Sequence, residues 1–134
     1  MSECEVRKYR ATDSQIKEIL TRYENIAIVG VSGRENRPSF YVAKFLLQAG
    51  YKVIFVNPNY ENILGLKCYR NLSEIKEKVE IVDIFRRAEQ VKEIVDEAIL
   101  IGAKVIWMQE GIINKEACDI AREKGLEVVM DRCM

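Results

Sequence analysis

Short apolar runs alternate with amphipathic stretches along the chain. Each run has four to seven residues and is rich in valine and isoleucine. The runs are 26-IAIVGV-31, 53-VIFV-56, 79-VEIVDIF-85, 104-KVIWM-108 and 127-EVVM-130. Because strands buried on both faces are apolar throughout, this pattern predicts five strands of a parallel sheet.

The stretches between the runs carry apolar residues at helical spacing. Over 91–99 such residues recur every three or four positions, and Gly102 follows where a helix end favours a left-handed residue. Gly50 and Gly125 follow two other stripes in the same way, and Asn114 can cap the helix that Gly125 closes. Helices are therefore predicted between the strands.

Capping signals predict two further helices. Thr12 and Gln15 have the spacing of a capping box, which predicts an N-terminal helix over 12–23 before the first strand. Ser73 is placed to cap a short helix around Glu74–Lys78.

The alternation of strands and helices predicts the fold class. It is typical of an α/β protein with a single Rossmann-like, doubly wound, mostly parallel sheet and helices on both faces. The chain has 134 residues, a length that suits one domain. We therefore expect residues 1–134 to form a single domain.

Composition excludes several functions. The chain has no histidine, which excludes a histidine general base, a Ser-His-Asp triad, a histidine-ligated metal and a phosphohistidine. Its 21 basic residues balance its 21 acidic ones, so there is no overall basic field to attract nucleic acid. No nucleic-acid partner is expected.

The cysteines and the N-terminus indicate a cytoplasmic protein. Cys4, Cys68, Cys118 and Cys133 include no CxxC pair, so no zinc site is expected. The start, MSECEVRKYR, lacks the apolar core of a secretory signal, and no apolar run approaches the ~18 residues of a membrane span. We expect free thiols in a reducing cytoplasm, with no membrane partner.

The first strand-to-helix turn has the features of a phosphate site. Gly30 and Gly33 allow close backbone approach, and Ser39 lies where the next helix should start. Arg34 and Arg37 add positive charge, and charge-assisted contacts to phosphate outweigh the helix dipole. The alternative is a glycine-rich connection whose arginines are merely solvated.

The loop departs from two known phosphate-binding patterns. A dinucleotide site requires a third glycine and an acidic residue after the second strand, but that strand ends in Asn57, Pro58, Asn59 and Tyr60. A GK[ST] sequence, which a Walker loop needs, is also missing. Both observations disfavour NAD and a P-loop nucleotide.

Other strand ends add candidate site residues. Arg86 and Arg87 follow the third strand, at the sheet edge where the first arginine pair is expected, although they could be ordinary helix-flanking charges. Tyr60 could cover a nucleobase or pack on its own loop. Trp107 and Cys133 are favoured as buried residues, with contact between Cys133 and a thiol ligand as the less favoured role.

At this level of detail the sequence resembles a known family. The matching strings are GVSGRENRPSFYVAKFL, VIFVNPNYENILGLKCYRNLSEI, VDIFRR and VIWMQEGIINKEACDIAREKGLEVVMDRCM. They are similar to the small, stand-alone CoA-binding domain proteins of bacteria and archaea. They also resemble the CoA-binding domain of the succinyl-CoA synthetase alpha subunit and of ADP-forming acyl-CoA synthetases. The resemblance covers the chain from about Asn25 onwards.

The resemblance implies a CoA site on three loops. Its residues would be Ser32, Gly33, Arg34 and Glu35 after the first strand, Asn57, Pro58 and Tyr60 after the second, and Met108, Gln109 and Glu110 before the last helix. Tyr60 stands where the synthetases have a lysine, so Arg37 or the pair Arg86 and Arg87 is expected to supply that phosphate contact. The catalytic histidine of the synthetases belongs to a separate domain.

The expected function is therefore binding of CoA or acyl-CoA by its nucleotide and phosphate end, without catalytic residues or a metal. The phosphates of CoA also account for the arginines better than NAD does. Two alternatives remain open: a CoA-using subunit that needs a partner synthetase chain, with Glu110 and Asp131 as acid–base groups, and an NAD- or nucleotide-responsive regulatory module. The helix over 12–23 could pack on its own sheet or form a homodimer.

Overall fold

The computed structural model describes residues 11–134, which contain four α-helices and seven strands. In chain order these are α1 Asp13–Arg22, β1 Asn25–Val29, α2 Pro38–Gln48, β2 Lys52–Val56, β3 Asn62–Ile63, β4 Leu66–Tyr69, β5 Ile81–Ile84, α3 Val91–Leu100, β6 Val105–Met108, α4 Lys115–Glu123 and β7 Glu127–Val129. Short 3-10 turns precede β5 and α3. Cys4 lies outside the described residues.

The strands form one sheet in the order β3-β4-β2-β1-β5-β6-β7. All neighbours are parallel except β3 and β4, which form an antiparallel pair at one edge. The chain leaves β1 towards β2 on one side and later returns to β5 on the other. The carboxyl ends of β1 and β5 therefore meet at the point where the winding reverses, which is where ligands bind in such sheets.

Helices cover both faces of the sheet. On one face α1 and α2 contribute Ile19, Val42, Ala43 and Leu46 to a buried cluster with Ile26, Ile28, Phe55, Val105 and Trp107. On the other face α3 and α4 contribute Val91, Ile94, Val95, Ala98, Ala117, Cys118 and Ala121 to a cluster with Ala27, Val29, Val82, Ile84 and Ile106. The predicted Rossmann-like, doubly wound architecture is confirmed.

Helix α1 packs on its own sheet, which answers one question that its sequence left open. Thr12 caps it through a complete capping box: its hydroxyl accepts from the Gln15 amide at 3.1 Å, and the Gln15 side chain accepts from the Thr12 amide at 2.9 Å. Ile19 is buried against the sheet, and Asp13 pairs with Arg132 at 3.0 Å. This helix is thereby joined to the segment that follows β7.

The predicted short helix around Glu74–Lys78 is wrong. The chain forms only a 3-10 turn over Leu72–Glu74, and its cap is Asn71, whose side-chain oxygen accepts from the Glu74 amide at 3.1 Å. Ser73 instead donates its hydroxyl to Asn71 at 2.6 Å. Asn71 is the cap because it precedes the turn and its side-chain oxygen reaches the Glu74 amide, whereas Ser73 already lies inside the turn.

Candidate functional site

Gly30 lies where three strand ends converge. Its φ is +87°, and its amide donates to the Val56 carbonyl at 2.8 Å. A Cβ at this position would lie 2.4 Å from the Phe85 carbonyl oxygen. The ends of β1, β2 and β5 can therefore approach this closely only around a glycine.

Replacing Gly30 with alanine is expected to lower the free energy of unfolding by roughly 2–4 kcal/mol, from backbone strain plus overlap with Phe85. Gly125→Ala is the matched control, because Gly125 has a φ of +84° and nothing within 4 Å of its Cβ position. It should lose only the strain contribution of about 1–2 kcal/mol. Urea unfolding measures both, and equal losses would show that the contact with Phe85 costs nothing.

The loop after Gly30 is held by its own serines. Ser39, only 4% exposed, accepts the Ser32 amide at 2.9 Å through its hydroxyl. The Ser32 hydroxyl in turn accepts the Arg34 amide at 3.1 Å. The backbone amides of Ser32 and Arg34 are thus already paired within the loop. These bonds fix the shape of the loop, and the arginine side chains are left as its cationic groups.

Arg34 and Arg37 are exposed at the start of α2. Arg37 is the N-cap residue, Pro38 occupies the first turn, and no described side chain caps this helix end. Neither arginine forms an ion pair with any residue in the described part of the chain. Two unneutralised guanidinium groups and the positive end of a helix therefore face the same solvent-filled space.

Tyr60 packs on the glycine loop rather than standing free. Its ring lies so close to Gly33 that a Cβ there would be 2.9 Å from Cε1, and its hydroxyl is 3.4 Å from the Ser32 hydroxyl. The hydrogen bond with Ser32, then one from the Gly33 backbone and the charges of both arginines lower the pKa of Tyr60. Its hydroxyl therefore lies against the glycine loop, beside Ser32.

Asn57 fixes the loop after β2. Its side-chain Nδ2 donates to the Val31 carbonyl at 2.8 Å, and its side-chain Oδ1 accepts from the Asn59 backbone amide at 2.9 Å. Asn57 is buried and supports the loop from below, while Asn59 and Tyr60 form the accessible surface of the loop.

These elements enclose a space of about 660 Å³, which we call the first cleft. It is lined by Gly30, Ser32, Arg34, Arg37, Pro38, Ser39, Asn57, Asn59, Tyr60 and Phe85. Seven of these lining residues were predicted from the sequence as site residues: Gly30, Ser32, Arg34, Arg37, Ser39, Asn57 and Tyr60. Three loops distant in sequence thus form one surface.

Two smaller clefts adjoin it. The second cleft, about 360 Å³, is lined by Pro38, Phe85, Arg86, Gln109, Glu110, Ile112 and Cys133. The third cleft, about 270 Å³, is lined by Val29, Val56, Pro58, Arg70, Asn71, Leu72, Arg86, Gln90, Glu93, Ile94 and Glu97. The second cleft shares the lining residues Pro38 and Phe85 with the first, so the two clefts are neighbours.

The remaining predicted residues are dispersed. Gly33 and Glu35 are exposed on the first loop. Arg86 lines the second and third clefts, whereas Arg87 is exposed at the start of a 3-10 turn. Met108 is fully buried in the core, so its side chain supports the site from behind.

Asp83 is a polar residue of the site region that the sequence reasoning did not select. It lies in β5, is 0% exposed, and its register places it beside Ile28 and Trp107. Its Oδ1 accepts a short hydrogen bond from Gln109 Nε2, while its Oδ2 has no partner among the described residues. Burial raises the pKa of Asp83 to about 7, against the opposing effect of the Gln109 hydrogen bond. The available signal was an acidic residue in the middle of the apolar run 79–85, which also contains Glu80.

Cys133 is exposed and lines the second cleft, which overturns the expectation that it is a buried thiol. The residues beside it are tethered: Trp107 Nε1 donates to the Arg132 carbonyl at 2.8 Å, and the Met134 amide donates to Gln109 Oε1 at 3.4 Å. The predicted burial of Trp107 is correct. The two hydrogen bonds attach the residues on either side of Cys133 to β6 and to the residue after it, while Cys133 itself stays exposed.

Residues 11–134 contain no helix that is long and apolar enough to cross a membrane. Within the same range, no three histidine, cysteine, aspartate or glutamate side chains lie together in a way that could hold a metal ion.

Fold and site together define the class: a Rossmann-like α/β domain with an arginine-lined cleft at the switch point of its sheet. The chain belongs to the CoA binding domain family, whose sequence profile matches residues 24–134. The resemblance inferred from the sequence motifs is thereby confirmed.

Three relatives show how this domain occurs elsewhere. The chain is 43% identical over 121 residues to YneT of Bacillus subtilis (strain 168), with 90% of each protein covered. It is 34% identical over 106 residues to acetate–CoA ligase (ADP-forming) II of Archaeoglobus fulgidus, but these cover 78% of this chain and only 15% of the ligase. A solved structure from Pyrococcus horikoshii OT3 is 48% identical, with a TM-score of 0.89 over 92% of this chain and 87% of that one. The domain thus resembles both a protein of similar length and a small part of a long ligase.

Proposed function

We propose that the chain binds CoA or acyl-CoA through its phosphates in the first cleft. The observation that carries the proposal is the pair Arg34 and Arg37, unpaired within the described residues, beside the uncapped start of α2. Charged donors at a helix N-terminus suit a pyrophosphate and a ribose phosphate. Membership of the CoA binding domain family supports the choice of this ligand.

The residues divide the work of binding. Arg34 and Arg37 supply charge-assisted hydrogen bonds to phosphate oxygens, and the Tyr60 hydroxyl, beside Ser32 in the same cleft, adds a neutral donor. Gly30 and Ser39 keep the loop in its shape. When bound, CoA supplies a thiol that carries acyl groups. We infer that the chain holds this molecule without transforming it.

Arg86 is positioned to extend the site beyond the first cleft. It lines both smaller clefts, whereas Arg87 is directed to solvent at the start of a 3-10 turn. The sequence offered Arg37, or the pair Arg86 and Arg87, as substitutes for the lysine of the synthetases. Of that pair, Arg86 is therefore the candidate for a further phosphate contact.

Isothermal titration calorimetry tests the proposal. CoA should bind in a 1:1 ratio, dephospho-CoA more weakly because it lacks the ribose phosphate, and NAD more weakly still. Absence of heat with CoA, in protein shown to be folded by circular dichroism, would overturn the proposal. Tighter binding of NAD than of CoA would instead support the regulatory alternative.

The ligase similarity favours a second candidate, a CoA-using subunit of a larger enzyme, with Glu110 at the second cleft as its acid–base group. Incubation of the chain alone with acetyl-CoA separates the two. Hydrolysis or transfer above the rate in buffer would support the enzyme, while unchanged acetyl-CoA in the presence of demonstrated binding would support the binding protein.

A further inference from the structure

We propose that the second cleft receives the thiol-bearing arm of CoA and that Cys133 exchanges disulfides with that thiol. This inference rests on the proposed function of the first cleft, and it adds a specific modification site. Pro38 and Phe85 line both clefts, so a ligand held by its phosphates beside Arg34 has the cleft of Cys133 as its neighbour.

The linings of the two clefts match the two ends of such a ligand. The first cleft carries arginine, serine and asparagine side chains, whereas the second has Pro38, Phe85 and Ile112 among its lining residues. A phosphate end requires charge, and an aliphatic amide arm requires apolar surface with a few polar groups. Cys133 lines the second cleft and does not line the first, which holds Arg34 and Arg37.

The position of the thiol is fixed from beneath. Gln109 links two polar groups: its Nε2 donates to buried Asp83, and its Oε1 accepts the Met134 amide. On the other side of Cys133, the Arg132 amide donates to the Met108 carbonyl at 3.2 Å. Backbone bonds thus hold both neighbours of Cys133, which limits the positions that its sulfur can take.

Gln109, which lines the second cleft, is bonded to a buried carboxylate that has one oxygen without a partner in the described part of the chain. The Oδ2 atom of Asp83 is fully buried and has no hydrogen-bond partner among the described residues. Although Cys133 is exposed as a residue, partial desolvation of its thiol and then the charges of Asp83 and Glu110 raise the pKa of this thiol. Arg86 is the cation that lines the same cleft. A raised pKa lowers the fraction of thiolate near neutral pH, so a disulfide held beside Cys133 should react faster than one that is not bound.

The exchange balances without a further oxidant when the reagent is CoA disulfide. The Cys133 thiolate attacks one sulfur, the sulfur–sulfur bond between the two CoA molecules breaks, and a new bond forms to Cys133. One CoA leaves as a thiolate and takes up a proton equivalent to the one that Cys133 released. The products are one mixed disulfide and one reduced CoA.

The test compares two disulfides on the reduced full-length chain by intact mass. CoA disulfide should add one CoA to Cys133 at least about tenfold faster than oxidised glutathione adds glutathione, because binding raises its effective concentration. Cys133→Ser should abolish the CoA adduct, whereas Cys68→Ser, which alters a buried cysteine, should retain it. Peptide mapping of the unsubstituted chain locates the adduct even if a variant fails to fold.

The outcomes separate this inference from the proposed function. Equal rates with the two disulfides, or an adduct mapped to another cysteine, would overturn the role of Cys133. Calorimetry with reduced CoA on the same sample then decides the rest. Binding without directed exchange would refute only the role of Cys133, and absence of binding would refute the proposed function itself.

Discussion

Replacement of both Arg34 and Arg37 by alanine is expected to weaken CoA binding by at least about a hundredfold. A hydrogen bond to a charged group contributes about 1.5–3 kcal/mol, so the loss of two should cost roughly 3–6 kcal/mol. The open cleft exposes both arginines to solvent, which places the expected effect towards the lower end of that range. Calorimetry or a thermal-shift titration measures the change.

The cleft offers a matched control for this pair. Lys44 is an exposed cation on the same helix, α2, and it does not line the first cleft. Lys44→Ala removes positive charge without removing a contact, so its affinity should stay within about twofold of the unsubstituted chain. Equal effects of the lysine and arginine substitutions would show that only the general field of α2 matters. A double arginine variant with unchanged affinity would refute the phosphate site.

Raised salt separates the two contributions further. Long-range attraction between exposed charges is screened over about 10 Å at 0.1 M salt, while direct contacts in a cleft are screened less. We therefore expect the affinity of the unsubstituted chain to fall with salt, and that of the double arginine variant to fall less steeply.

The chain should lose stability as the pH rises from about 4 to about 7, because of Asp83. Burial raises the pKa of this carboxyl from 3.8 to about 7. Between those values the folded protein holds a proton that the unfolded chain has released, so deprotonation favours unfolding. The interval corresponds to at most about 4 kcal/mol.

Asp83→Asn tests this because it keeps the shape of the side chain and an oxygen for Gln109 but removes the titration. Urea unfolding at several pH values should show that the difference in stability between the two proteins shifts in favour of the variant as the pH rises. Asp96→Asn, at an exposed position on α3, should retain the pH dependence of the unsubstituted chain. An identical pH profile for Asp83→Asn would show that Asp83 does not titrate in this interval.

Periodicity was sufficient for the core of the fold. The runs 26–31, 53–56, 79–85, 104–108 and 127–130 coincide with β1, β2, β5, β6 and β7, because strands covered on both faces are apolar at nearly every position. The antiparallel edge pair β3 and β4 was missed. These strands have two and four residues and lie at an edge, where one exposed side leaves too few apolar positions for a recognisable pattern.

The sequence correctly predicted which residues come together where their location follows from the end of a strand. Arg34 and Arg37 follow a glycine loop at a strand end, and parallel strands bring such loops to one edge. The same reasoning also selected Arg87 and Met108, which line none of the three clefts. Arg86 lines two clefts, whereas its neighbour Arg87 is directed to solvent and Met108 is buried in the core. The direction of a side chain depends on local backbone turns that the spacing of motifs does not specify.

By itself, the sequence determined the alternating α/β fold and the family, because both depend on local patterns of apolarity, glycine and charge. Only the tertiary structure decided that Tyr60 packs over Gly33, that Cys133 faces a second cleft, and that Asp83 is buried with Gln109. These relations join residues from different strands and loops. They depend on the order and register of the sheet, which set distances that no local pattern encodes.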